Sequence, residues 1–483
     1  MPENTYTDGL ARPHPRGREL VYKFEKMATI AIAGLAFYLA ATESMVWVPF
    51  AFGALATLVL VFAKWPYGAF LELCIAASIP RWIVPIHLGK TKPEHFVVAA
   101  VGLFMLFRMI TGKHEWKSLG KVEFLALALL AMNFLTSIAV SPDRITSLRW
   151  VLLLALAMSP FFLLWQVVRT KEQLDKLMLL WLWVGTCEAI FGIFCFFCHL
   201  AFGTNFGVTI VDYLGFVPEV HGSLWEPNIF GSYCTCFAVM FLFYFLDSLP
   251  RNPWYLTGFL ITTVGGLLSL ARQGWVCLIF VGALVLLYNV RKRNIRVKHL
   301  APITASILIA LVVGFSATQN LSDRIASFSG DASEDPTVVR RVEMVALATQ
   351  DILAHPVIGL GTGSLGLLYV ADSDTTYEGV DKAWLGSLLV GIMHDTGLVG
   401  IAIFVWFIFV LGRRAWRVLF APVRLPARTA VGALSAGVLV MLIAYQFTDA
   451  STFAFTWIQF GLLAAALRIA EDQPRTLGFQ IRD

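Results

Sequence analysis

Four stretches of this sequence carry side chains that could do chemistry. In Leu267-Leu268-Ser269-Leu270-Ala271-Arg272-Gln273-Gly274-Trp275, Arg272 is the one charged residue between Trp254 and Asn289. In His221-Gly-Ser-Leu-Trp-Glu-Pro-Asn-Ile-Phe-Gly-Ser-Tyr233, Pro227 and Asn228 precede an apolar run and read as a helix start, with Asn228 as its N-cap. Free backbone N–H groups and the helix dipole there favour an anion. Glu226 opposes that charge locally and reads instead as a base or a hydroxyl-orienting group. Arg340 and Arg341 lie in a third stretch with helical periodicity, and His394 lies in a fourth, Met393-His-Asp-Thr-Gly-Leu-Val-Gly400. Each has a plainer reading as well. Arg272 is then an interfacial arginine extending to a membrane surface, Arg341 the solvated face of a surface helix, and His394 a packed, hydrogen-bonded histidine.

The elements that must position these residues follow from composition. The 483-residue chain is 58% hydrophobic and 14% charged, which excludes an ordinary soluble domain. Apolar runs of spanning length recur along almost all of it, so it reads as a single all-α polytopic membrane domain. The first 26 residues are polar and carry Arg12, Arg16, Arg18, Lys23 and Lys26, so the apolar run from Met27 reads as a retained helix rather than a cleaved signal. About fourteen apolar segments are expected, near 27–41, 46–63, 67–80, 96–110, 122–140, 150–168, 177–202, 229–246, 255–271, 273–289, 301–316, 385–411, 429–447 and 452–469. The run 67–80 is short for a span, so the count is 12–14. Residues 254–289 would form a helix of roughly 54 Å against a hydrocarbon core of about 30 Å, so they divide into two spans with Ala271–Gly274 as the turn.

Charge sets the orientation. Lys and Arg concentrate in the N-terminus, in 111–121, in 290–300 and in 412–428, and these belong in the cytoplasm. The loop 203–228 has no Lys or Arg, and 317–384 has an excess of acids, so both belong outside, together with Arg272. The expected organisation is a cytoplasmic tail at 1–26, a transmembrane domain over 27–470 that includes a large extracytoplasmic loop at 317–384, and a cytoplasmic tail at 471–483. The net charge of +5 reports this topology, not nucleic-acid binding. Within the large loop, 338–354 reads as an amphipathic surface helix with Val342, Val345, Ala346, Thr349 and Leu353 on one side, ending at His355-Pro356. Gly359, Gly361, Gly363 and Gly366 follow; with no strand before them they exclude a dinucleotide fold.

The succession "GSLWEPNIFGSY", "LLSLARQGW", "RVEMVALATQDILAHPVIGLGTGS" and "DTGLVG" resembles the O-antigen ligase and polysaccharide polymerase superfamily of bacterial envelopes, over about residues 220–410. The ordered set of four motifs carries this resemblance. It implies a glycosyltransferase of membrane-embedded, type C-like architecture in the bacterial inner membrane, with both termini cytoplasmic and its active site on the periplasmic face. The implied donor is an undecaprenyl diphosphate-linked glycan, the chemistry inverting and without metal or other cofactor, and the implied partners are membrane lipid, chain-length regulators and flippases. By position in the motifs, Arg272 and Arg341 correspond to the arginines that stabilise the leaving diphosphate, with Arg340 and Arg324 as neighbouring candidates and Asn228 at the anion-favouring helix entry.

One position departs from the family. In the ligase branch a histidine stands about eleven residues before the Gly-Leu-x-Gly glycine, and here that residue is Gly386. His394, three residues before Gly397, is a different position and stands as a catalytic candidate, with Glu226, Glu378 and Asp381 as alternative bases. The missing histidine favours a polymerase joining lipid-linked repeat units over a ligase transferring the glycan to lipid A core. A flippase for the same lipid-linked glycan is the reading from another class; the lack of an internal repeat and the clustering of charges beside one outer loop argue against it. Cys195-Phe-Phe-Cys198-His199 matches the haem-attachment pattern, but it ends an apolar helix with no soluble domain to enclose a haem. Asp372 and Asp374 have the spacing of a cation site or of an acidic surface loop.

Overall fold

The computed structural model describes residues 117–211, 217–224, 226–247, 252–292, 305, 336–368, 385–423 and 425–476. Outside them lie the expected segments 27–41, 46–63, 67–80, 96–110 and 301–316, the N-terminal tail, the end of the C-terminal tail, Arg324, Asp372, Asp374, Glu378 and Asp381.

Nine of the expected apolar segments fall in the described residues, and each is a helix: α1 Lys121–Ala139, α2 Arg144–Val167, α3 Lys171–Phe202, α4 Pro227–Asp247, α5 Pro253–Leu268, α6 Arg272–Arg291, α9 Leu388–Leu419, α10 Arg428–Ala444 and α11 Ala454–Thr476. Six of them, α1, α2, α3, α4, α6 and α9, are long and apolar enough to cross a membrane, while α5 and α10 are shorter apolar helices. The chain is an all-α polytopic membrane protein. The surface helix is α7, Pro336–Ala354, followed by the single turn α8, Leu365–Leu368. Between α3 and α4 an antiparallel hairpin pairs β1, Val208–Val211, with β2, Val217–Val220, in the register Val208↔Val220. Alternation of Val, Thr and Ile over four residues is too short a pattern to stand out beside the helices.

Local chemistry starts and stops these helices. Thr170 and Gln173 form a reciprocal capping box at the start of α3, which ends at Gly203 in the left-handed conformation. Asp143 and Asn252 cap α2 and α5 by accepting from Thr146 N and Trp254 N. Helix α4 begins at Pro227, whose fixed φ suits a first helical position, so Asn228 lies inside the first turn and is not the N-cap expected from the sequence. The α5–α6 turn also differs from expectation. Helix α5 stops at Leu268, Leu270 takes φ +53°, and Arg272 opens α6.

Nearly every residue of α4 is buried, as expected for a helix apolar on all faces. Its phenylalanines fill positions where neighbouring helices carry glycine. Phe230 lies over Gly192 and Phe237 over Gly185, both on α3, Phe241 over Gly258 on α5, and Phe243 over Gly432 on α10. Such glycines let helices approach closely where lipid supplies no hydrophobic drive to association. One buried polar chain links three helices: Trp181 Nε1 donates to Gln459 Oε1 at 2.8 Å and Gln459 Nε2 donates to Leu434 O at 3.2 Å, tying α3, α10 and α11.

The bundle has two polar ends. At one, Arg468 donates to Trp165 O and Val168 O, Arg414 makes a bidentate pair with Glu471, Arg428 donates to Tyr288 Oη, and Thr429 donates to Asp247. At the other lie the α1–α2 turn, the hairpin, the starts of α4, α6 and α9, helix α7 and the α10–α11 turn. A Cβ at Gly432 would enter the Phe243 ring, so Gly432→Val is expected to cost about 1–3 kcal/mol through overpacking, read as a lowered melting temperature of the detergent-solubilised protein.

Candidate functional site

At the second end, the entries of α4 and α6 are joined by side chains. Asn228 Nδ2 donates to Glu226 Oε1 at 2.8 Å, and Gln273 Nε2 donates to Asn228 Oδ1 at 2.8 Å. Gly231 and Gly274 permit this approach, because a Cβ at Gly231 would overlap Ser269 and Ala271, and one at Gly274 would lie 3.3 Å from the Gly231 carbonyl. Thr448, in the turn between α10 and α11, donates to both Glu226 oxygens at 3.3–3.4 Å. Arg272 is half-buried beside Gln273 at the first position of α6.

Burial raises the Glu226 carboxyl above its usual range, opposed by the Asn228 hydrogen bond, by the positive charge of Arg341 and by Thr448. Arg341, on α7, is therefore within electrostatic reach of Glu226. Glu226, Asn228, Arg272 and Arg341 gather at one end, although they come from three separate stretches of sequence. Arg340 precedes Arg341 in the same helix.

His394 is placed differently. Its side chain is 1% exposed, with Nε2 at 3.2 Å from Asp351 Oδ2, Nδ1 at 3.2 Å from Asp395 Oδ1 and Ser364 Oγ at 3.4 Å from Nδ1. It is enclosed between α7 and the first turns of α9, and it does not touch the Glu226 group through any hydrogen bond among the described residues.

The glycine-rich turn after α7 packs on protein. Gly359, Gly361 and Gly363 all have positive φ. Leu360 N and Gly361 N donate to His394 O and Asp395 O at 2.9 Å, Gly363 N donates to Asp395 Oδ2 at 3.0 Å, and Thr362 N donates to Ser137 Oγ at 3.1 Å. Gly397, at φ 64° and ψ −164°, kinks α9 where the chain passes against Val357. The stripe Val342, Val345, Ala346, Thr349 and Leu353 is exposed on α7, while Met344, Ala348 and Asp351 face the bundle.

Several site residues were not singled out in the sequence. Gln273 and Thr448 join the Glu226 group only through tertiary contact, although the polar run Gln446–Thr452 between two apolar helices marks the second of them. Glu188, a carboxylate within the apolar length of α3, accepts from Ser223 N at 2.8 Å and Ser223 Oγ at 2.6 Å and so pins the loop that carries Glu226. In the same loop, burial pushes the His221 imidazole down to about 4. In the cysteine pattern, Cys195 is fully buried against Gly207, and His199 Nδ1 lies 2.9 Å from Thr204 O.

No curated protein matches the chain. Residues 257–405, from α5 through the kinked part of α9, match the family model described as O-antigen ligase. That match covers less than half of the chain and, together with the polytopic helical fold, makes this part of the protein similar to the O-antigen ligase and polymerase superfamily.

Proposed function

We propose that the protein polymerises polyprenyl diphosphate-linked oligosaccharide repeat units into a cell-surface polysaccharide by inverting, metal-independent glycosyl transfer. The observation that carries this reading is the convergence of Glu226, Asn228, Gln273 and Arg272 at the joined entries of α4 and α6, within electrostatic reach of Arg341. An acceptor sugar hydroxyl attacks the anomeric carbon, the bond to the diphosphate breaks, and the two guanidinium groups stabilise the departing negative charge. Glu226 takes the hydroxyl proton. The second polar end holds this chemistry and faces the periplasm. The opposite end, with Arg291, Lys292, Arg413, Arg414, Arg417, Arg428 and Arg468, is the cytoplasmic one in the inner membrane.

Polymerase is preferred over ligase because the position of the ligase-branch histidine is occupied by Gly386. Transfer to lipid A core or another acceptor is the second reading, favoured by the description of the matched family.

The purified protein, given a synthetic polyprenyl diphosphate-linked repeat unit and no other acceptor, is expected to form a ladder of longer glycans. Arg272→Ala and Arg341→Ala are each expected to lower kcat by about 10²–10³-fold. Product only when a lipid A core is added identifies a ligase; no product with either acceptor refutes glycosyl transfer.

A pH profile tests the base. Glu226 acts when deprotonated, and burial holds its carboxyl above the ordinary range, so kcat/KM is expected to rise with pH through that elevated value. Glu226→Gln is expected to remove this acid limb along with most of the activity. A Glu226→Gln enzyme that kept the wild-type profile would rule Glu226 out as the base.

A further inference from the structure

Arg341 belongs to α7, a helix outside the spans, and a leaving-group cation must be held at a fixed distance from the reacting bond. Among the described residues, the hydrophobic cluster under α7 has Ala348, Leu365 and Leu385 as its buried members, flanked by Met344 and Val390. What reinforces it is polar. Asp351, on the last turn of α7, meets the buried His394 of α9, and Asp395 holds the other face of the imidazole while its second oxygen accepts from Gly363 N. Backbone bonds extend the junction, with Leu398 N donating to Pro356 O at 2.8 Å and Val399 N to Val357 O at 3.3 Å. Arg341 precedes Asp351 by ten residues, roughly 15 Å along one rigid helix.

The geometry points to His394 and Asp351 as a positioning pair that sets Arg341 at the site, acting through α7 without touching the transferred glycan. This inference rests on the glycosyl-transfer reading above. Enclosure leaves the imidazole no route to an acceptor hydroxyl, while its two nitrogens bridge the surface helix to a membrane-spanning one. Because Asp395 also anchors the glycine-rich turn, the pair ties α7, that turn and α9 into one body. Losing His394 leaves two carboxylates facing each other at the junction, which drives α7 away from α9.

The test uses the full-length protein in nanodiscs with the synthetic lipid-linked repeat unit as donor, comparing His394→Leu and His394→Gln alone and combined with Arg341→Ala. His394→Leu is expected to lower kcat on the order of tenfold when Arg341 is present but by less than about twofold in the Arg341→Ala background, since the two act through one group. His394→Gln retains an amide nitrogen near the place of Nε2 and is expected to recover most of the rate. Amide hydrogen exchange over 336–354 is expected to accelerate in His394→Leu while exchange in α4 stays at its wild-type rate. Equal fold-losses in both backgrounds, an Arg341→Ala enzyme at wild-type rate, or unchanged exchange over 336–354 would each overturn the proposal. A wild-type protein with no transfer sinks the glycosyl-transfer reading instead, and the exchange comparison then decides by itself whether the pair holds α7.

Discussion

The fit of the α4 phenylalanines onto glycines of three neighbouring helices is the constraint on which the rest depends. Phe230, Phe237, Phe241 and Phe243 each occupy space that a single Cβ on α3, α5 or α10 would take. In a bilayer, aliphatic surface gains little by leaving lipid for protein, so close packing and internal hydrogen bonds must hold the helices together. Helix α4 is thereby fixed along its length, and its first residues, with Glu226 and Asn228, are fixed with it. The same close approach at Gly231 and Gly274 brings α6 near enough for Gln273 to reach Asn228, and Arg272 is then held at the same helix entry.

The polar groups at this end form two networks with different consequences. Around Glu226 lie Asn228 and Thr448, with the half-buried Arg341 in electrostatic reach and the half-buried Arg272 beside Gln273 at the neighbouring helix entry. Around His394 the imidazole is enclosed between Asp351 and Asp395, and these contacts hold α7 and its following turn on α9. Low dielectric strengthens such networks when complete and penalises them when broken. A group that accepts substrate charge and a group that fixes the helix carrying part of it are thus separate, and the second is buried because its job requires rigidity.

The glycines of residues 359–363 illustrate how one sequence pattern admits two readings. Glycines alone are compatible with a phosphate cradle. Their positive φ angles instead let the chain lie against the His394 and Asp395 carbonyls on one side and the α1–α2 turn on the other, where Ser147 Oγ donates to Thr362 O at 2.6 Å. The glycine turn thereby joins the early helices to the outer segment.

Much of the architecture was legible in the chain itself, because a membrane imposes a length and a polarity on each span that a single segment must meet alone. Nine of the described helices each overlap one of the expected apolar runs, with ends that differ by up to about eight residues, and α7 was marked by its periodicity. Arg272, Arg341, Glu226 and Asn228 stand out in the sequence for a related reason: charge or a helix-entry signal is conspicuous against apolar surroundings. Tertiary structure alone decided that Asn228 bridges Glu226 and Gln273 instead of capping its helix, that Thr448 reaches Glu226 from 222 positions away, and that His394 is enclosed between Asp351 and Asp395. Such contacts depend on which helix faces which, and that choice is made by the fit of phenylalanines to glycines on different helices, a complementarity that no local pattern encodes.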